Sequence, residues 1–230
     1  MKKILWILLF VSTTCCGQNK DFDDYISKFK EVTVPFEINQ ANFQEQFPGN
    51  VWNDPYMIDE KYVRKFVYCN DPAPAHRFMM ADYGYGYGIK WETEDYHIVI
   101  LRMQRDQGDD PFNFDRLDLM LVVYDKLGRY IDRKIISHDN EMWFSHVRVN
   151  TQESIFVRQA MMNLKSTELI DINKVYTAMI QDISYEILEY GTIDEIFIDD
   201  LTGQLIWNKE NNKFSLESKD TVIDTLRSNF

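Results

Sequence analysis

Leu117–Ser137 has the sequence LDLMLVVYDKLGRYIDRKIIS, which predicts a β-hairpin. Two β-rich runs, Leu117–Tyr124 and Arg129–Ile136, flank the turn Asp125-Lys126-Leu127-Gly128. Aspartate at the first turn position can accept hydrogen bonds from the backbone that follows, and glycine at the fourth can adopt a positive φ. Leu121–Val123 is apolar without alternation, which is typical of a strand that is covered on both faces.

Further strand-like runs follow Arg77 and are separated by turn residues. They are Phe78–Tyr83, Tyr96–Gln104, Phe144–Asn150, Ser154–Gln159, Ile183–Tyr190, Ile193–Ile198, Gln204–Asn208 and Lys213–Leu216. The pattern predicts a mainly β fold of antiparallel sheets, sandwich or propeller-like, with a short helical N-terminal segment. An α+β fold is the alternative.

A later stretch of the chain is similar in sequence to the hairpin. Tyr124–Ile131 aligns with Asp199–Ile206, and both have the pattern of a strand, an Asp-x-x-Gly turn and a second strand. Two copies favour convergent hairpin chemistry, and a propeller-like or sandwich arrangement built from similar hairpins is the alternative.

The N-terminal segment has helical patterns. Apolar residues in Asp21–Glu31 recur at helical spacing, Asn39–Phe47 predicts a helical turn, and Ile58–Tyr68 predicts a helix with Asp59 as its N-cap. We therefore predict a helical segment over residues 25–76 and a β-rich body over residues 77–230, packed as one unit.

Met1–Gln18, MKKILWILLFVSTTCCGQ, has the pattern of an export leader. Lys2 and Lys3 precede the apolar run Ile4–Val11, which is far shorter than the roughly 20 residues that span a bilayer. Residues 1–15 are predicted to be a lipoprotein signal peptide and residues 16–24 a tether. Cys16 is the predicted lipidation site, with Cys15 as the alternative.

The cysteine count argues against a disulfide framework, and the net charge argues against binding of nucleic acid. If Cys15 is removed and Cys16 acylated, Cys69 is left without a disulfide partner. The net charge of −12 disfavours binding of nucleic acid, because phosphate contacts need clustered basic side chains. The predicted partners are a membrane, reached through the lipid anchor, and a protein or glycan ligand.

The order of features resembles the small uncharacterised lipoproteins of Bacteroidota. The likeness rests on the cysteine leader and on Val34–Ile38, Ile58–Val63, the Tyr-Asp-x-x-Gly hairpin, and Tyr185–Ile187 followed by Gly191. Lys20–Asp24, a lysine followed by acidic residues, resembles the surface-export signal of that group. The resemblance implies an exported outer-membrane lipoprotein, periplasmic or surface-facing, and supplies no activity and no catalytic residue.

The stretch Asp82–Gly88, DYGYGYG, supplies the candidate binding residues. A nucleotide loop would need its glycines to open a helix after a strand, and this stretch is strand-like instead. Flat aromatic faces can stack on sugars or grip a peptide, and the alternative is that they pack the core. The candidates are Tyr83, Tyr85, Tyr87 and Trp91, with Trp52 and Tyr56.

Other chemistry has little support in the sequence. The aspartates of Asp106–Asp118 lack EF-hand spacing, the four histidines lack zinc-type pairing, and no Gly-x-Ser-x-Gly elbow occurs. His138-Asp139 beside Glu141 has the residue types of acid–base chemistry but follows a strand end. We therefore predict no metal, no cofactor and no catalytic residue.

These patterns predict a lipid-anchored cell-envelope protein that acts as a non-catalytic protein- or glycan-binding module. One alternative is an envelope or polysaccharide hydrolase with an unrecognised carboxylate pair. The other is an acidic immunity or inhibitor protein that masks a basic toxin.

Overall fold

The structure is a computed structural model and describes residues 20–49, 51–52, 55–68, 83–105, 116–140, 145–162, 171–210 and 213–217. Several predictions lie outside these residues. They are the leader and its lipidation site Cys16, the alternative Cys15, Cys69, and most of the aspartate-rich stretch. No helix within the described residues is long and apolar enough to cross a membrane.

The fold is mainly β, as the sequence predicts, and the residues that the structure describes form two sheets that are almost entirely antiparallel. The strands of the first sheet are β1 (Lys30–Glu31), β3 (Tyr83–Glu92), β4 (Tyr96–Arg105), β5 (Arg116–Asp125) and β6 (Tyr130–Asn140). Those of the second are β2 (Phe36–Ile38), β7 (His146–Val149), β8 (Ser154–Met162), β9 (Tyr176–Ile187), β10 (Ile193–Asn208) and β11 (Lys213–Glu217). The first sheet has the order β1-β3-β4-β5-β6 and the second has the order β11-β10-β9-β8-β7-β2.

The helices of the described residues are short and precede β3. They are α1 (Lys20–Ser27), α2 (Phe43–Gln46) and α3 (Glu60–Tyr62), which continues into a π-helical turn (Val63–Val67). The predicted cap of the third helix is confirmed, because Asp59 Oδ1 accepts a hydrogen bond of 2.8 Å from Lys61 N. The first helix ends before its predicted limit, since Lys30 and Glu31 leave it to pair in parallel with β3.

The first sheet is covered on both faces. One face packs against the second sheet and the other against the helices, as β5 shows. Leu121 and Val123 belong to the core between the sheets, whereas Val122 belongs to the core beneath the helices. All three are fully buried, which confirms the prediction from their unbroken apolar run. Burial of each such side chain stabilises the fold by about 1.5–3 kcal/mol.

The predicted hairpin between β5 and β6 is confirmed. Asp125 Oδ1 accepts hydrogen bonds of 2.9 Å from both Leu127 N and Arg129 N, and Gly128 has a φ of +75°. A Cβ at Gly128 would lie 2.3 Å from Phe22 Cγ. The turn therefore needs glycine both for its backbone conformation and for the close approach of α1.

The prediction of a second Asp-x-x-Gly turn, at residues 200–203, is wrong. Residues 199–206 do not turn back but continue inside β10, which runs from Ile193 to Asn208 along β9. Gly203 is needed there for space, because a Cβ would lie 2.5 Å from Ile180 Cδ1 on the neighbouring strand. The two matching stretches are thus a hairpin and part of one continuous strand, so they do not form a propeller-like repeat.

Candidate ligand-binding cleft

Half of the predicted aromatic residues pack in the core. Tyr85, Tyr87 and Trp91 are only 4%, 7% and 3% exposed. The two tyrosines pack with the helices, while Trp91 packs between the sheets and donates a 2.9 Å hydrogen bond to Gln152 O. The alternative interpretation, core packing, therefore describes these three rings, and they present no exposed stacking face.

The glycines of this stretch allow another part of the chain to lie close to β3. A Cβ at Gly88 would lie 2.3 Å from Phe47 Cε1, and one at Gly84 would lie 2.6 Å from Val51 Cγ2. The stretch around Phe47–Trp52 therefore rests directly on the glycine positions of the strand. The alternating Tyr-Gly pattern is thus explained by packing on two faces.

Arg102 holds this covering stretch in place. Its side chain is buried, and its two terminal nitrogens donate to Phe47 O (3.3 Å) and Gly49 O (2.8 Å). Burial lowers the pKa of the guanidinium to about 10. Sequence reasoning missed this residue, although a single charge inside the apolar run Ile98–Met103 marks it.

Two segments pair with the same edge of β3. On one side of Gly88, Tyr87 N donates to Tyr56 O (2.9 Å) and Ile58 N donates to Tyr85 O (2.7 Å). On the other side, β1 pairs with Ile89 and Lys90. Because one segment pairs with β3 on each side of Gly88, the edge of the strand is open at this residue, and a cleft lies between the two segments.

The cleft has a volume of about 530 Å³, within the range of roughly 300–1,000 Å³ that is usual for ligand sites. It brings together two of the six predicted binding residues, Tyr56 and Tyr87. Trp52, which is 37% exposed, and the half-buried Tyr83 are not among its lining residues. The lining residues are Lys28, Lys30, Pro48, Pro55, Tyr56, Met57, Asp59, Tyr87 and Gly88.

Two lysines give the cleft a cationic side. Lys28 Nζ lies 3.6 Å from Asp24 Oδ2, and Lys30 Nζ lies 3.0 Å from Glu45 Oε1. Both lysine side chains are more than 40% exposed, and exposed ion pairs contribute at most about 1 kcal/mol. An anionic ligand can therefore compete for both ammonium groups.

Tyr56 is held by a glycine of the covering stretch. Gly49 has a φ of +73°, and a Cβ there would lie 1.9 Å from Tyr56 Cδ2. The ring is half-buried against this glycine and also lines the cleft. The position of the aromatic ring thus depends on Gly49, whose carbonyl is held by Arg102.

A histidine–aspartate pair lies elsewhere, on β5 and β6. His138 Nδ1 is 3.0 Å from Asp118 Oδ1; the aspartate is 1% exposed and the histidine side chain is 46% exposed. A buried carboxylate that orients a histidine is the geometry of acid–base catalysis. The sequence drew attention to His138 with Asp139 and Glu141, but its partner lies across the sheet, at a paired position.

Within the described ranges, no group of three or more histidine, cysteine, aspartate and glutamate side chains can hold a metal ion. The fold and the cleft define a mainly β protein with an open cleft on its surface. Comparisons with protein-family models, with curated proteins and with solved structures found no match.

Proposed function

We propose that the protein is a lipid-anchored, non-catalytic module of the cell envelope that binds an acidic glycan in the cleft at Gly88. The cysteine leader supports the location, because it predicts export and anchoring of the folded body. The observation that carries the binding proposal is the presence of Lys28 and Lys30 beside Tyr56 in one cleft.

The lining of the cleft supports a sugar that carries a carboxylate. Tyr56 and Met57 offer apolar surface for the face of a sugar ring, and the carboxylate of Asp59 can accept from hydroxyl groups. The two lysines bind the acidic group. Because the chain as a whole has a net charge of −12, attraction of an acidic sugar depends on these two lysines and should weaken as salt screens them.

Calorimetric titration with oligosaccharides tests this function. We expect uronic-acid oligosaccharides to bind and their neutral counterparts to bind at least about tenfold more weakly, since one lost charge-assisted hydrogen bond costs roughly 1.5–3 kcal/mol. Lys30→Gln and Tyr56→Ala should each weaken binding by a similar factor. Lys209→Gln is the matched control, because Lys209 is exposed and does not line the cleft.

Two outcomes would contradict the glycan proposal. The first is equal affinity of the protein for neutral and acidic oligosaccharides, or equal affinity of the Lys30→Gln and Lys209→Gln variants for the acidic oligosaccharide. The second is preferential binding of an acidic peptide, which would show that the cleft binds a protein ligand and not a glycan.

The His138–Asp118 pair favours a second candidate function, hydrolysis of an envelope polysaccharide. In this function Asp118 orients the imidazole, and His138 takes a proton from the water that attacks the glycosidic carbon. The departing sugar oxygen gains a proton from solvent as its bond to that carbon breaks. The test is release of reducing ends from envelope polysaccharides, with His138→Ala expected to abolish it. His146→Ala is the control, because His146 Nε2 is paired with Glu37 Oε2 at 3.2 Å on the second sheet. Equal rates of hydrolysis by the His138→Ala and His146→Ala variants would show that the His138–Asp118 pair is not catalytic.

A further inference from the structure

One segment of β10 is exposed along its whole length. It comprises Asp194–Asp200, DEIFIDD, and is called the β10 edge segment below. Its three central apolar side chains, Ile196, Phe197 and Ile198, are 47%, 53% and 54% exposed. Large apolar side chains grouped together on a surface mark sites where another molecule binds.

The exposure follows from the position of the strand. The β10 edge segment pairs with β9 on one side, whereas β11 pairs only with the later part of β10, Gln204–Asn208. In the part of the chain that the structure describes, no strand pairs with the other side of the segment. Successive residues are exposed without alternation, so neither face of the strand is covered here.

A β-bulge lies at the centre of the segment. Phe197 pairs with Ile183 and Asp199 with Asp182, so Ile198 is an extra residue without an opposite partner on β9. Bulges occur at sheet edges and change the direction of the side chains they contain. The bulge therefore lies within the apolar group, between the acidic residues at either end.

Aspartates occupy backbone donors near both ends of the segment. Asp194 Oδ1 accepts from Glu195 N (3.0 Å), and Asp199 Oδ1 accepts from Asp200 N (2.8 Å). Just before the segment, Asp132 Oδ2 accepts from Ile193 N (2.8 Å). Charged side chains of this kind protect a sheet edge from pairing with a second copy, since two such edges would bring like charges together.

We infer that the β10 edge segment docks an extended protein segment with an apolar centre and basic residues at both ends. The argument is charge complementarity. Asp194 and Glu195 precede the apolar residues and Asp199 and Asp200 follow them, so the segment is acidic at both ends. A lysine already reaches this surface within the chain, because Lys134 Nζ lies 3.9 Å from Glu195 Oε2.

This inference does not depend on the cleft at Gly88, which lies at the edge of the first sheet. The apolar centre supplies the main contact area, and the acidic ends set orientation and accelerate encounter. Salt weakens such binding because it screens exposed charges.

The test uses the full chain in detergent and a fluorescent seven-residue peptide, Lys-Arg-Ile-Phe-Ile-Arg-Lys, capped at both ends. Fluorescence anisotropy should show saturable binding that weakens as salt rises. The matched control peptide has glutamine at each basic position and should bind at least about tenfold more weakly, the factor that corresponds to roughly 1.4 kcal/mol.

Variants locate the binding surface. Phe197→Ser should weaken binding at least about tenfold, whereas Leu127→Ser, at a side chain that is 65% exposed in the β5–β6 turn, should leave it unchanged. The double variant Asp194→Asn with Asp200→Asn keeps acceptor atoms and should lower both affinity and salt dependence. Tyr56→Ala should leave peptide binding intact, which separates this inference from the glycan site.

Three results would overturn the inference. They are absence of peptide binding, equal binding by the Phe197→Ser and Leu127→Ser variants, and sedimentation of the unmutated chain as a dimer that Phe197→Ser dissociates. The last result would identify a second copy as the occupant. Circular dichroism checks that each variant retains its fold.

Discussion

The hydroxyl groups of Tyr25 and Tyr124 lie 3.1 Å apart in the core between α1 and the first sheet. Tyr124 donates its proton to Phe66 O, also at 3.1 Å. A tyrosine hydroxyl has only one proton, so Tyr25 is the donor in the pair. This hydrogen-bond chain connects the first helix, the hairpin strand β5 and the π-helical turn.

Removing the middle hydroxyl should cost more than removing the outer one. Tyr124→Phe leaves both the Phe66 carbonyl and the Tyr25 hydroxyl without this partner, and we expect a loss of about 2 kcal/mol in the free energy of unfolding. Tyr25→Phe should cost only about 1 kcal/mol, because Tyr124 still donates to Phe66. Urea denaturation measures both values, with the exposed Tyr190→Phe as control. A larger loss for Tyr25→Phe would contradict the assigned donor direction.

The β5–β6 turn should tolerate no side chain at its glycine. Gly128→Ala places a methyl group in a left-handed backbone conformation and against the Phe22 ring, so we expect a loss of at least about 2 kcal/mol. Leu127→Ala in the same turn should change stability by no more than about 0.5 kcal/mol, since that side chain is exposed. Equal melting temperatures for the two variants would exclude the close approach of α1.

Stability should fall as the pH drops because of His97. Burial lowers the pKa of His97 below its usual value near 6.5, and this outweighs the opposing effect of Glu92, whose Oε1 lies 2.9 Å away. The unfolded chain therefore binds this proton more readily, so the contribution of His97 to stability is complete above about pH 6.5 and declines below it. Urea midpoints at about pH 7.5 and about pH 5.5 should differ more for the unmutated chain than for His97→Gln. Identical differences would show that His97 does not titrate in this way.

The lipid anchor has its own test in the producing cell. Cys16→Ala should move the protein from the membrane fraction to the soluble fraction and remove the lipid mass from the intact protein. Cys69→Ala is the control and should remain in the membrane fraction. If Cys16→Ala keeps its lipid and Cys15→Ala loses it, Cys15 is the anchor; an unmutated protein without lipid would contradict anchoring altogether.

Local patterns predicted those parts of the fold that local chemistry controls. The turn at Gly128 and the cap at Asp59 each depend on residues within a few positions of one another, and both are confirmed. The stretch Asp199–Ile206 has the same local signal as the hairpin but continues as a strand. There, pairing of residues 199–205 with β9 outweighs the turn preference of aspartate and glycine.

The candidate site was less predictable, because its parts come from distant stretches. The tyrosines of DYGYGYG were recognised from composition, but whether a tyrosine is exposed depends on which elements cover the strand. Tyr85 and Tyr87 are buried by the helices, whereas Tyr56 lines the cleft because Gly49 and Arg102 hold its neighbourhood against β3.

The sequence by itself determined the mainly β class, the hairpin, and the burial of the unbroken apolar run Leu121–Val123 on both faces of its strand. These follow from side-chain periodicity and turn chemistry, which act over a few residues. Only the tertiary structure decided the cleft, the His138–Asp118 pair and the exposed β10 edge segment. Each of these depends on which strand becomes a neighbour and where a sheet ends, and long-range pairing sets both.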